Sequence, residues 1–568
     1  MLGTLARPLA VLALAFPAAA QLATTSADFA QPGTQPGGLT TPVLSVNQCT
    51  FCHANYDEAQ EPYERWSGSM MANAMRDPVF HAAMSIANQD MDGAGGFCMR
   101  CHTPGGFLDG NTTPPDGSAL SDVDYQGVNC NFCHRLVDPL AAGENPAEDA
   151  AILAGLASAP GDAHGGQFVV DPEDRRRGPF DLGPSFFYHD WLLSPFHRES
   201  LLCATCHEVS NPAFTRVGGP TPSASDSYDL GPLGAEHPTH AKTDQFPIER
   251  TFTEWALSSF GAGPVEMGGR YGGNQTAVST CQDCHMPTTD GTACQPFLGG
   301  AVRSDLPLHD FAGANSWVPR AIYSLDQSNT LYPDAYDNGQ PLSVFEATIA
   351  RNKQMLRAAS DLALSKVGSD LVVRITNQTG HKLPTGYGEG RRMWINVQFR
   401  GANGTLVAER GHYDAPTATL TSGDTKVYEI KHGPDANMAL LTGLPEAPSF
   451  HFVLNNKIYK DNRIPPRGFA NAAFEAGQAQ PVSATYADGQ YWDDTSFTIP
   501  AGASHAVVSV YHQTTAREYI EFLRDENVTD GKGDIAYDEW DLAGKSKPVL
   551  MDRRSISFLS SKILPNKL

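Results

Sequence analysis

The sequence is short of charge, and of positive charge most of all. Asp, Glu, Lys and Arg make up 18% of its 568 residues, against the usual quarter, and 40 Lys and Arg face 63 Asp and Glu, for a formal net charge of −23. A nucleic-acid partner needs a basic surface, so that class is excluded. An anionic membrane surface is disfavoured for the same reason. Past the N-terminus no apolar run approaches the roughly 20 residues that a transmembrane span requires. Apolar residues are not scarce, at 41%, which excludes a wholly disordered chain.

What is present begins with a leader. Residues 1–20 (MLGTLARPLAVLALAFPAAA) hold one cation, Arg7, then an apolar stretch ending in Ala18, Ala19 and Ala20 before Gln21. This reads as a secretory signal peptide. The alternative, a membrane anchor, has too short an apolar run. With no cysteine near the cut, a lipid anchor there is excluded. The mature chain is expected in the periplasm or outside the cell, at −24 once Arg7 is gone from −23. The length suggests three to four domains, or fewer large ones. High Pro (41) and Gly (53) predict long ordered loops.

Ten of the 11 cysteines fall into five identical motifs. They are Cys49-Thr-Phe-Cys52-His53, Cys98-Met-Arg-Cys101-His102, Cys130-Asn-Phe-Cys133-His134, Cys203-Ala-Thr-Cys206-His207 and Cys281-Gln-Asp-Cys284-His285. C-x-x-C-H is the attachment signature of haem c. Two thiols must reach the two vinyl groups of one porphyrin, and the next residue must turn its imidazole onto the iron. Five motifs therefore predict five covalent haems, with His53, His102, His134, His207 and His285 as proximal ligands. A disulfide framework does not repeat CxxC with a trailing His. Paired zinc knuckles need free thiolates, which an oxidising compartment disfavours. A thioredoxin-like dithiol needs one CxxC, not five. Cys294 is left over: a buried apolar residue, a contact of the haem at Cys281 and Cys284, or a reactive thiol.

All five motifs lie in the N-terminal half. Between them the sequence has Gly/Pro-rich turns such as 113–117 (TPPDG) and little periodicity, so short helices carrying the motifs and few strands are expected, with porphyrins supplying the apolar mass. Residues 345–359 have helical periodicity. Beyond them five runs read as strands, at 371–376, 393–399, 427–430, 449–453 and 506–511, and a helix follows near 516–525. The fold class is α+β: a loop-rich, mainly α haem domain over 21–340, a helical linker over 341–365, and a β-sandwich domain with a C-terminal helix over 366–568. The acidic run 525–531 has Val528 where a calcium loop needs an oxygen ligand, so it reads as a solvated loop.

The second axial ligand decides between electron transfer and catalysis, because an iron with two strong protein ligands is closed to substrate. Seven histidines at or before His309 are not in a motif: His81, His164, His189, His197, His237, His240 and His309. They suffice for five irons. The candidate distal ligands are His81, His164, His197, His240 and His309, with Met70 or Met71 the rival of His81, His237 the rival of His240, and His189 a spare. Glycines beside His164 would let a ring approach the backbone. His381, in the Gly- and Pro-shaped loop 377–386, is a further candidate for a haem edge or an iron. Arg391 and Arg392 are candidates for pairing with haem propionates.

These motifs resemble multihaem c-type cytochromes of the cytochrome c-552/4 class. The segments 97–102 (FCMRCH), 130–135 (CNFCHR), 281–287 (CQDCHMP) and 309–311 (HDF) carry the likeness, and 380–386 (GHKLPTG) and 461–469 (DNRIPPRGF) resemble a β-domain attached to some members. The wider group holds electron carriers and enzymes. Pentahaem nitrite reductases are similar in haem number, but their active haem is bound through a Lys-ended motif, and all five motifs here end in His. Hydroxylamine oxidoreductases carry eight haems. The expected function is an exported electron carrier, with no catalytic residues assigned, whose partners are redox proteins bearing basic docking surfaces; assembly with other cytochromes is compatible with it. The alternative is a multihaem oxidoreductase of nitrogen or sulfur compounds with one open iron.

Overall fold

The computed structural model describes residues 20–141, 144–183, 188–328, 331–332 and 339–558. The expected leader lies outside them, but for Ala20. The C-terminal half is built on alternation. In the strand Asp370–Asn377, Leu371, Val373 and Ile375 point inward, while Arg374 between them faces out to Asp494. That strand is the centre of a three-stranded antiparallel sheet with Ser360–Val367 and Trp492–Thr498. A second antiparallel sheet runs in the order Leu406–Arg410, Arg392–Arg400, His505–Gln513, Val549–Ser557, with Val427–Tyr428 also paired to Arg392–Arg400. One apolar core serves both sheets, joining Leu371, Val373 and Ile375 to Ile395, Val397, Phe399, Val508 and Val510. The strand Arg392–Arg400 is buried on both faces because Trp394, Leu420 and Val427 form a second cluster on its far side.

Several expectations need correction. Residues 449–453 form no strand; Phe452–Leu454 is a 3₁₀ turn, and His451 is drawn to Asp90 at 2.9 Å. Aromatic alternation there reflects packing against the other half, not a ladder. The helix Arg517–Asp525 is not the last element, since Lys532–Leu542 follows and the chain returns to the sheet at Val549–Ser557. The acidic run between those helices is the exposed loop expected, anchored at two points: Ser85 donates to Asp530 at 2.8 Å, and Gln89 accepts from the backbone of Val528 at 2.9 Å.

In the N-terminal half the motifs sit on short helices as expected, but strands are not few. Eleven short ones form two- and three-stranded sheets among the described residues. The largest sheet is Val209–Val217 between Ser227–Leu230 and Gln245–Glu249. Pairs as short as Leu136–Val137 with Val169–Val170 pin loops that have too little periodicity to read as strands.

The halves are packed together. The helix Leu342–Ala358 buries Phe345, Ile349, Asn352 and Leu356, one helical face. The helix Pro78–Asp90 lays Ala82, Ala83 and Ile86 against Tyr519, Ile520, Leu523, Ala536 and Trp540. A buried ionic cluster crosses between the halves as well. Asp461 meets Lys382 and Arg463, both at 2.7 Å, and Arg463 reaches Glu254 at 3.0 Å. Burial works against ionising Asp461, yet Arg463 and Lys382 together hold it well below the usual carboxylate range. Its folded value lies below its unfolded one of about 3.9, so the stability it confers is present above that pH and is lost on acidification. Asp461→Asn leaves two buried cations short of an anion. We expect it to cost about 3–5 kcal/mol in denaturant unfolding at neutral pH, and the deficit relative to the parent to shrink as the pH falls below about 4.

Candidate haem sites

Each motif occupies a turn of helix: Thr50–His53, Ala94–His102, Cys130–Cys133, Ser200–Ala204 with the residues that follow it, and Cys281–His285. Residues three apart share a helical face, so each pair of thiols projects to one side. The turns are capped where the sequence permits. Asn129 accepts from the backbone of Phe132, and Thr280 forms a capping box with Asp283.

The imidazoles are oriented from behind. Nδ1 of His53 lies 2.6 Å from the carbonyl of Ala293, that of His102 3.2 Å from Ala74, that of His134 2.8 Å from Arg177 and that of His285 2.6 Å from Ala312. Each carbonyl fixes the proton on Nδ1 and frees the Nε2 lone pair for a metal. His207 differs, with its Nδ1 3.8 Å from the Glu249 carboxylate. Burial pushes His102 down to about 4 and lowers His53, His134 and His285, so these rings are neutral, the form that ligates.

The motifs also meet each other. The Cys49 thiol is lowered to about 7 by a hydrogen bond from Cys130, Cys281 to about 7 by one from Cys203, and Cys101 is lowered by one from Cys206. Among the described residues no three His, Cys, Asp or Glu side chains are placed to share one metal ion. A cavity of about 830 Å³ runs between the motifs, lined by Cys49 of the first, by both cysteines of the second, third and fourth, by His53, His102, His134 and His207, and by apolar groups such as Trp66, Phe80 and Phe97. Thiols in pairs, a freed imidazole nitrogen beside each pair and an apolar cavity are the donor set that covalent porphyrins require, so the residues fit the group.

The candidate distal residues are placed as follows. The rings of His197 and His309 lie 5.7 and 6.2 Å from that of His134, and His309 also neighbours His53. His197 Nε2 donates to the Cys133 carbonyl at 3.0 Å. His81 beside the second motif is tied through Nε2 to the Met75 carbonyl at 2.9 Å, with Nδ1 left without a partner. His164 is fully buried, and its loop bonds to Thr205 and Glu208 of the fourth motif. There a Cβ on Gly166, at φ +75°, would lie 3.2 Å from the Cys101 sulfur, so a glycine is needed where the second motif closes on the fourth. His240 has φ +52° and an unpartnered Nδ1, with Nε2 3.4 Å from Glu236. His237 accepts at Nδ1 from the backbone of His240, which puts its proton on Nε2. His189 is exposed. Met70 and Met71 line the cavity. His381 lies with its ring 6.5 Å from that of His285, at an interplanar angle of 21°.

Residues 48–135, which hold the first three motifs, match the family described as cytochrome c554 and c-prime. The chain carries a multihaem c-type cytochrome domain. A penta-heme cytochrome c552 from Thermochromatium tepidum is a solved structure with some likeness, at 17% identity and a TM-score of 0.47, covering 91% of this chain and 100% of that one. No curated protein matches.

Several residues of this cytochrome's site are not readable from its motifs. Glu249 stands behind His207, and the carbonyls of Ala74, Arg177, Ala293 and Ala312 come from segments far from the rings they hold. Arg176 reaches the first motif. Only one of the two candidate propionate partners faces the cavity: Arg391 lines it with an unpartnered Nε, while Arg392 is taken up by Gln513 at 2.9 Å and Glu518 at 3.3 Å. Cys294 is not beside Cys281 and Cys284. It sits by Cys52 of the first motif, where the Gln295 backbone donates to the Cys52 carbonyl at 2.7 Å. The carboxylate behind His207 would make that imidazole a more basic ligand, and a haem held there would be expected to favour ferric iron and a lower potential. Glu249→Gln is therefore expected to raise one potential in a redox titration, by about 59 mV for each tenfold loss of ferric preference, and to leave the others in place.

Proposed function

We propose that the chain is an exported electron carrier holding five haem c groups, at Cys49/Cys52, Cys98/Cys101, Cys130/Cys133, Cys203/Cys206 and Cys281/Cys284. One observation carries the reading: the motifs meet in two neighbouring groups. Thiol contacts join the first to the third, the second to the fourth and the fourth to the fifth. The field of Cys133 reaches Cys203 and Cys206, which links the two groups. Haems tethered at neighbouring thiols exchange electrons without binding substrate, and the fourth would be the junction.

The distal ligands we assign from the same neighbourhoods. The iron at His134 draws on His309 or His197, and the remaining one of these serves an adjacent iron. His81 serves the second motif, and His164 with His240 the region of the fourth. We read the haem domain as 21–340; of the linker expected over 341–365 the helix Leu342–Ala358 remains, since the strand Ser360–Val367 already belongs to the sheet. Two sheets around one core support reading 366–568 as a β-sandwich. No helix among the described residues is long and apolar enough to cross a membrane. A leader at residues 1–20 would deliver the protein to the periplasm or the exterior, where its acidic charge of −24, taken from −23 by loss of Arg7, favours encounter with redox partners through basic patches.

A second reading, an oxidoreductase with one open iron, is favoured by one group. The Tyr387 hydroxyl lies 2.8 Å from that of Tyr519, close to Cys98, and shares the cavity with Arg391. A phenol and a guanidinium are groups that can act on a ligand at an open haem face.

Intact mass and low-temperature EPR on one ferric sample separate these readings. The mass is expected to show five covalent haems and the spectrum only low-spin iron. Fewer haems would defeat the pentahaem assignment. One haem's worth of high-spin iron would replace the carrier reading with the catalytic one.

A further inference from the structure

The five proximal imidazoles come from the N-terminal half, and so do the five distal candidates that the sequence suggests. The fifth motif breaks this pattern. Its His285 has a free Nε2, because Nδ1 is held 2.6 Å from the Ala312 carbonyl. The imidazole that faces it is His381, from the C-terminal half, with its ring centroid 6.5 Å away and its plane within 21°. Two imidazoles on opposite sides of one metal, each bonded at about 2.0–2.1 Å with about 1.1 Å from nitrogen to ring centre, sit about 6.3 Å apart. The observed spacing is that of a ligand pair.

His381 also has the chemistry of a ligand. Its Nδ1 is occupied, 3.0 Å from the carbonyl of Lys382 and 3.2 Å from the Thr379 hydroxyl, which leaves Nε2 for the metal. The loop that carries it is fixed at every step. The Asn377 amide donates to the His381 carbonyl at 2.7 Å and to the Ile464 carbonyl at 2.9 Å. The Lys382 backbone donates to Glu254 at 3.0 Å, and Thr385 donates to the same carboxylate at 2.9 Å. Gly380 lies so close to the Trp255 ring that a Cβ there would stand 3.0 Å from it. Glu254 and Trp255 belong to the helix Thr251–Ala256 of the N-terminal half. The loop is therefore docked on the half that holds the fifth motif before any iron is considered.

We propose that His381 is the sixth ligand of the haem at Cys281 and Cys284, so that this haem's iron bonds both halves of the chain. The proposal rests on the haem reading above, and the test keeps the two apart. In His381→Ala the covalent haem count by intact mass stays at five, while one haem's worth of ferric iron moves from low-spin to high-spin in the EPR spectrum. Added imidazole returns that iron to low spin. A folded five-haem variant with the parent's spectrum overturns the proposal; a parent with fewer than five haems defeats the haem reading instead. Should His381→Ala fail to fold, His381→Met decides, because a thioether opposite a histidine raises the potential. One raised potential among five then supports the ligand role, and an unchanged set overturns it.

Discussion

The N-terminal half must close around a cavity that its own side chains do not fill. That cavity, of about 830 Å³, is partly open to solvent and lined mostly by apolar groups, a surface that favours an apolar occupant over water. The rest of the half follows from the constraint. Its own apolar clusters are small, four of its five motifs sit on helices of four or five residues, and some of its loops are pinned by two-residue ladders.

Orientation is the second demand, and backbone meets it. Four of the five proximal rings lean on a carbonyl, which accepts one proton and carries no net charge. The fifth faces a carboxylate. This contrast sets one motif histidine apart electronically while the CxxCH spacing is identical at all five. The buried ionic cluster of Lys382, Asp461, Arg463 and Glu254 works on a larger scale. It fixes how the sheet-rich half sits against the motif-bearing half, and with it the place of the loop 377–386.

The sequence made legible whatever chemistry dictates within a few residues. CxxCH spacing fixed the helical turns, and the alternation of Leu371, Val373 and Ile375 or the periodicity of Phe345, Ile349 and Leu356 marked their elements. The strands Ser360–Val367 and Trp492–Thr498 went unseen because they flank the three-stranded sheet and are largely polar. Long-range partnerships left no local trace. Ala293 and Glu249 carry no signal that would match them to His53 and His207. Cys294 lies ten residues after Cys284 in sequence and beside Cys52 in space. A histidine two helices and four strands beyond the last motif could be noticed in the loop 377–386, but not matched to His285.

The thiol contacts have a consequence for maturation. Cys49 and Cys281 are each lowered to about 7 chiefly by a hydrogen bond with a thiol of another motif. Thiols in hydrogen-bond contact can oxidise to a disulfide, and such a bond between motifs would remove one sulfur from each of two CxxCH pairs. A chain destined to carry haem at these motifs would therefore gain from thioether attachment that runs ahead of compaction, with each motif capped before its distant partner arrives.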